Sequence, residues 1–240
     1  MAGNLLIKNA LIISPKAERN KFQRQDILVQ DGTIAVIAPV IANPNQYTEI
    51  DATEMLAMPG FINSHIHTWQ TGLRGLAGDW TAKNYFRAMH SGLATFFEPE
   101  DIYIANLVGA LNQINNGVTT LVDWHHCNPT PDHSDAAIDG LEESGVRAVF
   151  LHGTPKPDSG PGQLHFSKVP MPLDEVVRLR SGRMSSSDKK VTMGLAILGP
   201  QMAINDVCMQ DFKLAKDMDL VASMHHSGLQ MAGEQAYEMA

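Results

Sequence analysis

The sequence predicts an α/β protein: an incomplete TIM (β/α)8 barrel, its first five strands in residues 59–240, preceded by a small β-sandwich segment in residues 1–58. Three observations carry this expectation. Residues 4–58 are rich in β-formers and hold almost no reactive side chains. From Pro59 onward, apolar strand-like runs alternate with helical stretches five times. The strands are apolar almost throughout, as in a parallel sheet covered on both faces.

In the first segment, "LLIKNALII", "QDILVQDGTIAVIAPV" and "YTEIDATEMLAM" read as short strands, and Asp31-Gly32 is a hairpin turn. "GFINSHIH" opens the alternation, followed by a helical region near 84–97 and a helix near 99–116. Pro99 suits the first turn of that helix, and Glu98, Glu100 and Asp101 lie near its positive end. Ile104, Val108, Leu111 and Ile114 form an apolar stripe expected to face the core, and Gly117 stops the helix. "GVTTLVDW", "VRAVFLHG", "VTMGLAILGP" and "LVASMHH" are the remaining strands. The helices between them are "DAAIDGLEES" with Gly145 as its stop, "LDEVVRLRS", and "NDVCMQDFKLAKDM" capped by Asn205. Residues 153–170 are rich in Gly and Pro and predict a long ordered loop or lid. Five strands leave a barrel open, so either something completes the fold or the chain is a fragment.

Bulk properties exclude several classes of function. Lys plus Arg number 18 against 26 Asp plus Glu, a formal net charge of −8 that argues against nucleic acid as a partner. No run approaches the ~20 apolar residues of a membrane span. The start "MAGNLLIKNA" lacks the order of a signal peptide, and two cysteines are too few for a disulfide framework. A cytoplasmic protein is expected, with a small molecule as its partner and homo-oligomerisation left open.

The chemistry gathers at strand ends. His65 and His67, two apart on a strand, point the same way about 7 Å apart. In the fifth strand, alternation groups Val221, Ser223 and His225 on one face and Ala222, Met224 and His226 on the other. Ala222 and Met224 suit the helix side, which puts His225 inside. Three imidazoles at one barrel mouth suit Zn²⁺ or Fe²⁺.

"MPGFINSHIHTWQTGLRG", together with "NGVTTLVDW", "ESGVRAVFLHG" and "VASMHHSG", resembles the amidohydrolase superfamily. The resemblance is to its cytosine-deaminase-like branch, with triazine hydrolases and methylthioadenosine/adenosylhomocysteine deaminases, and it covers the N-terminal half of such proteins. It implies His65, His67 and His225 as ligands of one divalent metal ion, Zn or Fe. A sixth-strand histidine and an eighth-strand aspartate, the general base, are expected beyond residue 240. Gln70 and Arg74 match positions that often contact substrate; Trp69 and Trp80 could form an aromatic wall, although packing is the commoner use.

Two departures bear on the substrate. Deaminases of this branch carry glutamate three residues past the fifth-strand histidine, where this chain has Gly228. Their fourth strand commonly ends Gly-Pro-His, and here it ends Gly199-Pro200-Gln201. Gln201 can hydrogen-bond but cannot shuttle protons near neutral pH. His125 or His126 could supply that role, with His126 slightly preferred and His152 weaker; His90, His133 and His165 are placed in helices or loops. The resemblance thus implies a metal-dependent hydrolase of non-peptide carbon–nitrogen bonds in a small cyclic or aromatic compound, using metal-activated water. The alternative is a truncated, catalytically incomplete fragment or a metal-binding protein without turnover.

Overall fold

The computed structural model describes residues 4–13, 22–43, 45 and 47–226. The chain divides into two compact units, Met1–Gly60 and Phe61–Ala240.

In the first unit, β1 (Leu5–Ile12), β2 (Gln23–Gln30), β3 (Thr33–Ala38) and β4 (Thr48–Asp51) lie in the order β3-β2-β1-β4, and β5 (Leu56–Ala57) also pairs with β1. Of the expected sandwich, the described residues form this single mixed sheet. Asp31 and Gly32 both take positive φ, 50° and 75°, and close the β2–β3 hairpin as their sequence predicts. Asp26 is buried and accepts hydrogen bonds from Lys8 and from the Asn9 and Ile41 amides. Burial alone would raise its carboxyl, but these donors outweigh it and hold the group below its ordinary value.

The second unit is a curled parallel sheet in the order β10-β9-β8-β7-β6. Its strands are β6 (Phe61–Ile66), β7 (Val118–His125), β8 (Arg147–Gly153), β9 (Val191–Ala196) and β10 (Val221–Ser223). The helices are α1 (Ala82–Tyr85), which runs into a π-turn at Phe86–His90, then α2 (Pro99–Asn115), α3 (Pro131–Ser144), α4 (Leu173–Ser181) and α5 (Asn205–Asp217). Alternation sorts the strand side chains into two layers. Leu121, Ala148, Phe150, Met193 and Leu195 join Ile102, Leu141 and Leu179 from the helices in the main core. Trp124, Leu151 and Ala196 cluster on the opposite, inner face. The functional side chains of the strands must therefore lie on this inner face.

Helix signals in the sequence mostly hold. Pro99 occupies the first turn of α2, and Glu98 and Asp101 form a reciprocal capping box, the Glu98 N–H donating to Asp101 Oδ2 at 2.9 Å. Gly117 and Gly145 adopt φ of 82° and 77°, the left-handed conformation that ends a helix. Two expectations are corrected. Ile204, not Asn205, is the N-cap of α5, and no side chain caps it. The α2 stripe of Ile104, Val108, Leu111 and Ile114 is 39–50% exposed. The helix packs instead through Ile102, Ala105, Asn106, Gly109 and Ala110. Small residues let it approach its neighbours closely, and Gly140 of α3 lies against its Tyr103 carbonyl. A 3.6-residue period identifies a face but not which face is buried.

Candidate metal centre

β6 carries the first two histidines inward by means of a register slip. Asn63 pairs with Leu121 and Ile66 with Asp123, so three steps on β6 match two on β7. Asn63 and Ile66 both face the helices: Asn63 Nδ2 donates to Gln113 Oε1 at 2.9 Å, and Ile66 packs on the main core. His65 and His67 flank Ile66 and face the inner layer. His225 follows β10, whose Ala222 packs on the helix side, as the alternation argument requires.

The three imidazoles converge. Their rings lie 4.8–5.2 Å apart by centroid, and one nitrogen from each falls within 4.8 Å of the others. Among the described residues no other group of three metal-capable side chains meets in this way. His65 Nε2 and His225 Nε2 are 3.1 Å apart, close to the ~3.3 Å edge of a tetrahedron drawn around zinc. His67 Nδ1 lies 2.6 Å from the Trp124 carbonyl, which can only accept, so Nδ1 carries the proton and Nε2 keeps a lone pair. Burial holds His67 and His225 at about 4, so both are neutral at pH 7. Neutral imidazoles with a fixed tautomer suit a Zn²⁺ or Fe²⁺ ion.

The chain after His67 is held just as firmly. The Thr68 N–H donates to Asp123 Oδ1 at 2.9 Å, and Asn106 Nδ2 donates to Asp123 Oδ2 at 3.0 Å. Both Asp123 and Asn106 are fully buried, so α2 and β7 together fix the start of this loop.

Beside the histidines lies a cavity of about 230 Å³. Tyr85, Phe86 and His90 line it from α1 and its π-turn, His126 from beyond β7, Lys156 from beyond β8, and Gln201 from beyond β9. His67 and His225 complete the wall nearest the cluster. His90 and His126 are pushed far down by burial and are neutral, and among the described residues His126 Nδ1 has no hydrogen-bond partner. Lys156 is pulled down to about 7 by the same cause. A larger apolar cleft of about 400 Å³ lies between the loop after His67 and α2. It contains a single carboxylate, Asp101, already engaged in the capping box.

The other expected site residues fall in different places. Gln70 braces the cavity wall from outside, its Nε2 donating to the Tyr85 hydroxyl at 2.5 Å. Arg74 is exposed and outside the cavity lining. Of the paired histidines, His126 lines the cavity; His125 faces the helices, with Nδ1 3.5 Å from Asp123 Oδ2. His152 is buried on the same outer side against Phe150. His133 donates from Nε2 to the Phe97 carbonyl at 2.8 Å, and His165 contacts Ser167. Trp69 is core, and Gly228 lies outside the described residues. Sequence reasoning missed Tyr85, Phe86 and Lys156, and it gave His90 no role. The one available signal was position, because Lys156 follows a strand end and so lies at the barrel mouth.

Comparison with known proteins finds relatives of this chain. The 5'-deoxyadenosine deaminase of Methanobrevibacter smithii is 32% identical over 149 residues, 62% of this chain and 32% of that protein. The 5-methylthioadenosine/S-adenosylhomocysteine deaminase of Thermoanaerobacter pseudethanolicus is 24% identical over 98% of this chain and 52% of that protein. Atrazine chlorohydrolase of Arthrobacter aurescens, solved with zinc, superposes with a TM-score of 0.73 at 19% identity, over 93% of this chain and 53% of that one. The chain thus spans about half the length of such relatives. With the amidohydrolase family profile matching residues 56–239, the chain belongs to the amidohydrolase family.

Proposed function

We propose that the chain acts in a metal-dependent hydrolase that cleaves a non-peptide carbon–nitrogen bond in a small cyclic or aromatic compound. The observation that carries this reading is the convergence of His65, His67 and His225 beside a cavity. These three side chains would hold one divalent ion. Such an ion supplies, when bound, a water acidic enough to be hydroxide near neutral pH. The chain's own contributions are local. The Trp124 carbonyl holds the Nδ1 proton of His67 and so aims Nε2 at the cluster. Asp123 fixes the backbone that follows. Tyr85 and Phe86 give the cavity an aromatic side that excludes water and orients a flat substrate. His126 and His90 are neutral imidazoles at the wall, able to accept or donate a hydrogen bond at a ring nitrogen. The deaminase names of the relatives favour an amino-substituted ring, while Gln201 in the cavity wall removes one proton carrier that such deaminases use.

The test combines metal content with turnover. Purified protein loaded with zinc is expected to retain about one ion per chain by plasma mass spectrometry, and His65→Ala, His67→Ala and His225→Ala to lose it. A panel of aminopurines, aminopyrimidines and aminotriazines should then show chelator-sensitive ammonia release. Retention of zinc by all three variants overturns the assignment of the ligands. Stoichiometric zinc without turnover favours the second reading, a metal-binding chain.

A further inference from the structure

We propose that Lys156 selects the ligand of this cavity by holding an anionic oxygen, a carboxylate or a ring oxyanion, on a compound of about one ring. The inference rests on reading the cavity as the substrate site and adds the class of substrate it takes.

Lys156 sits in the loop after β8 and is 4% exposed. Its ammonium lies 5.0 Å from the centroid of the Trp124 ring. Among the described residues it makes no hydrogen bond and no ion pair, and no carboxylate lines the cavity. A buried ammonium without an anion is unfavourable, and an indole face offsets only part of that cost. Among the described residues the cation is walled by aromatic rings, neutral imidazoles and an amide, so an anionic ligand entering the cavity would supply the acceptor. His126 is buried in the same wall, and among the described residues its Nδ1 has no hydrogen-bond partner. The volume sets the size. A partly open cavity of about 230 Å³ has room for one substituted ring. Trp124 also packs on His225, with ring centroids 4.2 Å apart, and Lys156 and His225 line the same cavity, so an anion held by Lys156 would share it with the histidine cluster.

The test uses benzoate and benzamide, which share ring and size and differ in charge. Binding is followed by tryptophan fluorescence and calorimetry at pH 6, in chelator-treated protein so that no metal can hold the carboxylate. The wild type should bind benzoate at least about tenfold more tightly than benzamide. Lys156→Met should abolish that preference and Lys156→Arg should retain most of it, with circular dichroism unchanged. Equal affinities in the wild type overturn the proposal whether or not the variants fold, as does a preference that survives Lys156→Met. Undetectable benzoate binding up to about 10 mM overturns it too. A benzoate preference in protein that fails to retain zinc would sink the hydrolase reading and leave Lys156 standing. Retained zinc with no preference does the reverse.

Discussion

Asp123 offers a sharp test of how the loop behind His67 is held. Its carboxylate accepts the Thr68 N–H at Oδ1 and the Asn106 amide at Oδ2, and all three residues are sealed from water. Asp123→Ala strands the Thr68 N–H and leaves the Asn106 amide only its longer bond to the Ala137 carbonyl. A hydrogen bond to a charged acceptor is worth about 1.5–3 kcal/mol, so two give about 3–6 kcal/mol. Release from burying a carboxylate returns part of that, leaving a net loss of about 2–4 kcal/mol. Asp123→Asn is a different perturbation. Its carbonyl oxygen still serves Thr68, and its new amide meets Asn106, whose own Oδ1 has no partner. A flip of the Asn106 amide restores a donor–acceptor pair at the expense of its 3.3 Å bond to the Ala137 carbonyl, for a loss of about 1 kcal/mol. Trp69, Trp80 and Trp124, the chain's three tryptophans, all lie in the second unit, so urea unfolding followed by their fluorescence reads this unit alone. With a slope near 2 kcal/mol/M, the midpoint should fall by about 1–2 M in the alanine variant and about 0.5 M in the asparagine variant. Coincident midpoints for the two variants would refute the hydrogen-bond reasoning. Zinc retention should follow the same order, because Thr68 directly follows His67.

Three further outcomes are expected. Gly140→Ala would place a Cβ 2.6 Å from the Tyr103 carbonyl oxygen and 2.9 Å from the Leu107 nitrogen, so α2 and α3 must separate; thermal unfolding should show a loss of about 2 kcal/mol or more. Burial raises the Asp211 carboxyl from 3.8 to about 6, so its neutral form is the one folding favours. That contribution is complete below pH 3.8 and is lost as pH rises through about 6. Asp211→Asn, which keeps an acceptor for the Met171 N–H, should gain on the wild type from pH 4 to pH 8, toward an advantage of about 3 kcal/mol, and a pH-independent difference would contradict this. On α2, Val108→Lys should change stability by less than about 0.5 kcal/mol while Ile102→Ala loses about 2–5 kcal/mol. The opposite ranking would restore the stripe as the buried face.

The parts of this fold governed by local rules were legible in the sequence. Asp31-Gly32, Pro99, Gly117 and Gly145 act through backbone geometry that each residue carries with it, and all four do in the structure what they promise. The inward setting of His225 followed from period-two alternation, and Ala222 on the helix side agrees. Alternation alone could not show the slip in β6, which puts Asn63 outward although it lies two residues before His65. Tertiary context decided the rest. Whether α2 buries its large or its small residues depends on how closely α3 approaches, and no pattern within α2 encodes that distance. Lys156 had only its place past a strand end to mark it, because a lysine in a Gly/Pro-rich loop reads as solvated until the walls around it are known.

The 3.1 Å approach of His65 to His225 joins positions 160 residues apart, reached from the two outermost strands of the sheet. Anything gripping both rings acts as a clasp across that span, much as a crosslink would. It withdraws from the unfolded chain the freedom of a very long loop, a contribution on the order of 5 kcal/mol in simple loop-entropy terms. Occupancy at this point and the curl of the sheet should therefore rise and fall together, and a chelator should loosen β10 before it disturbs β7 or β8.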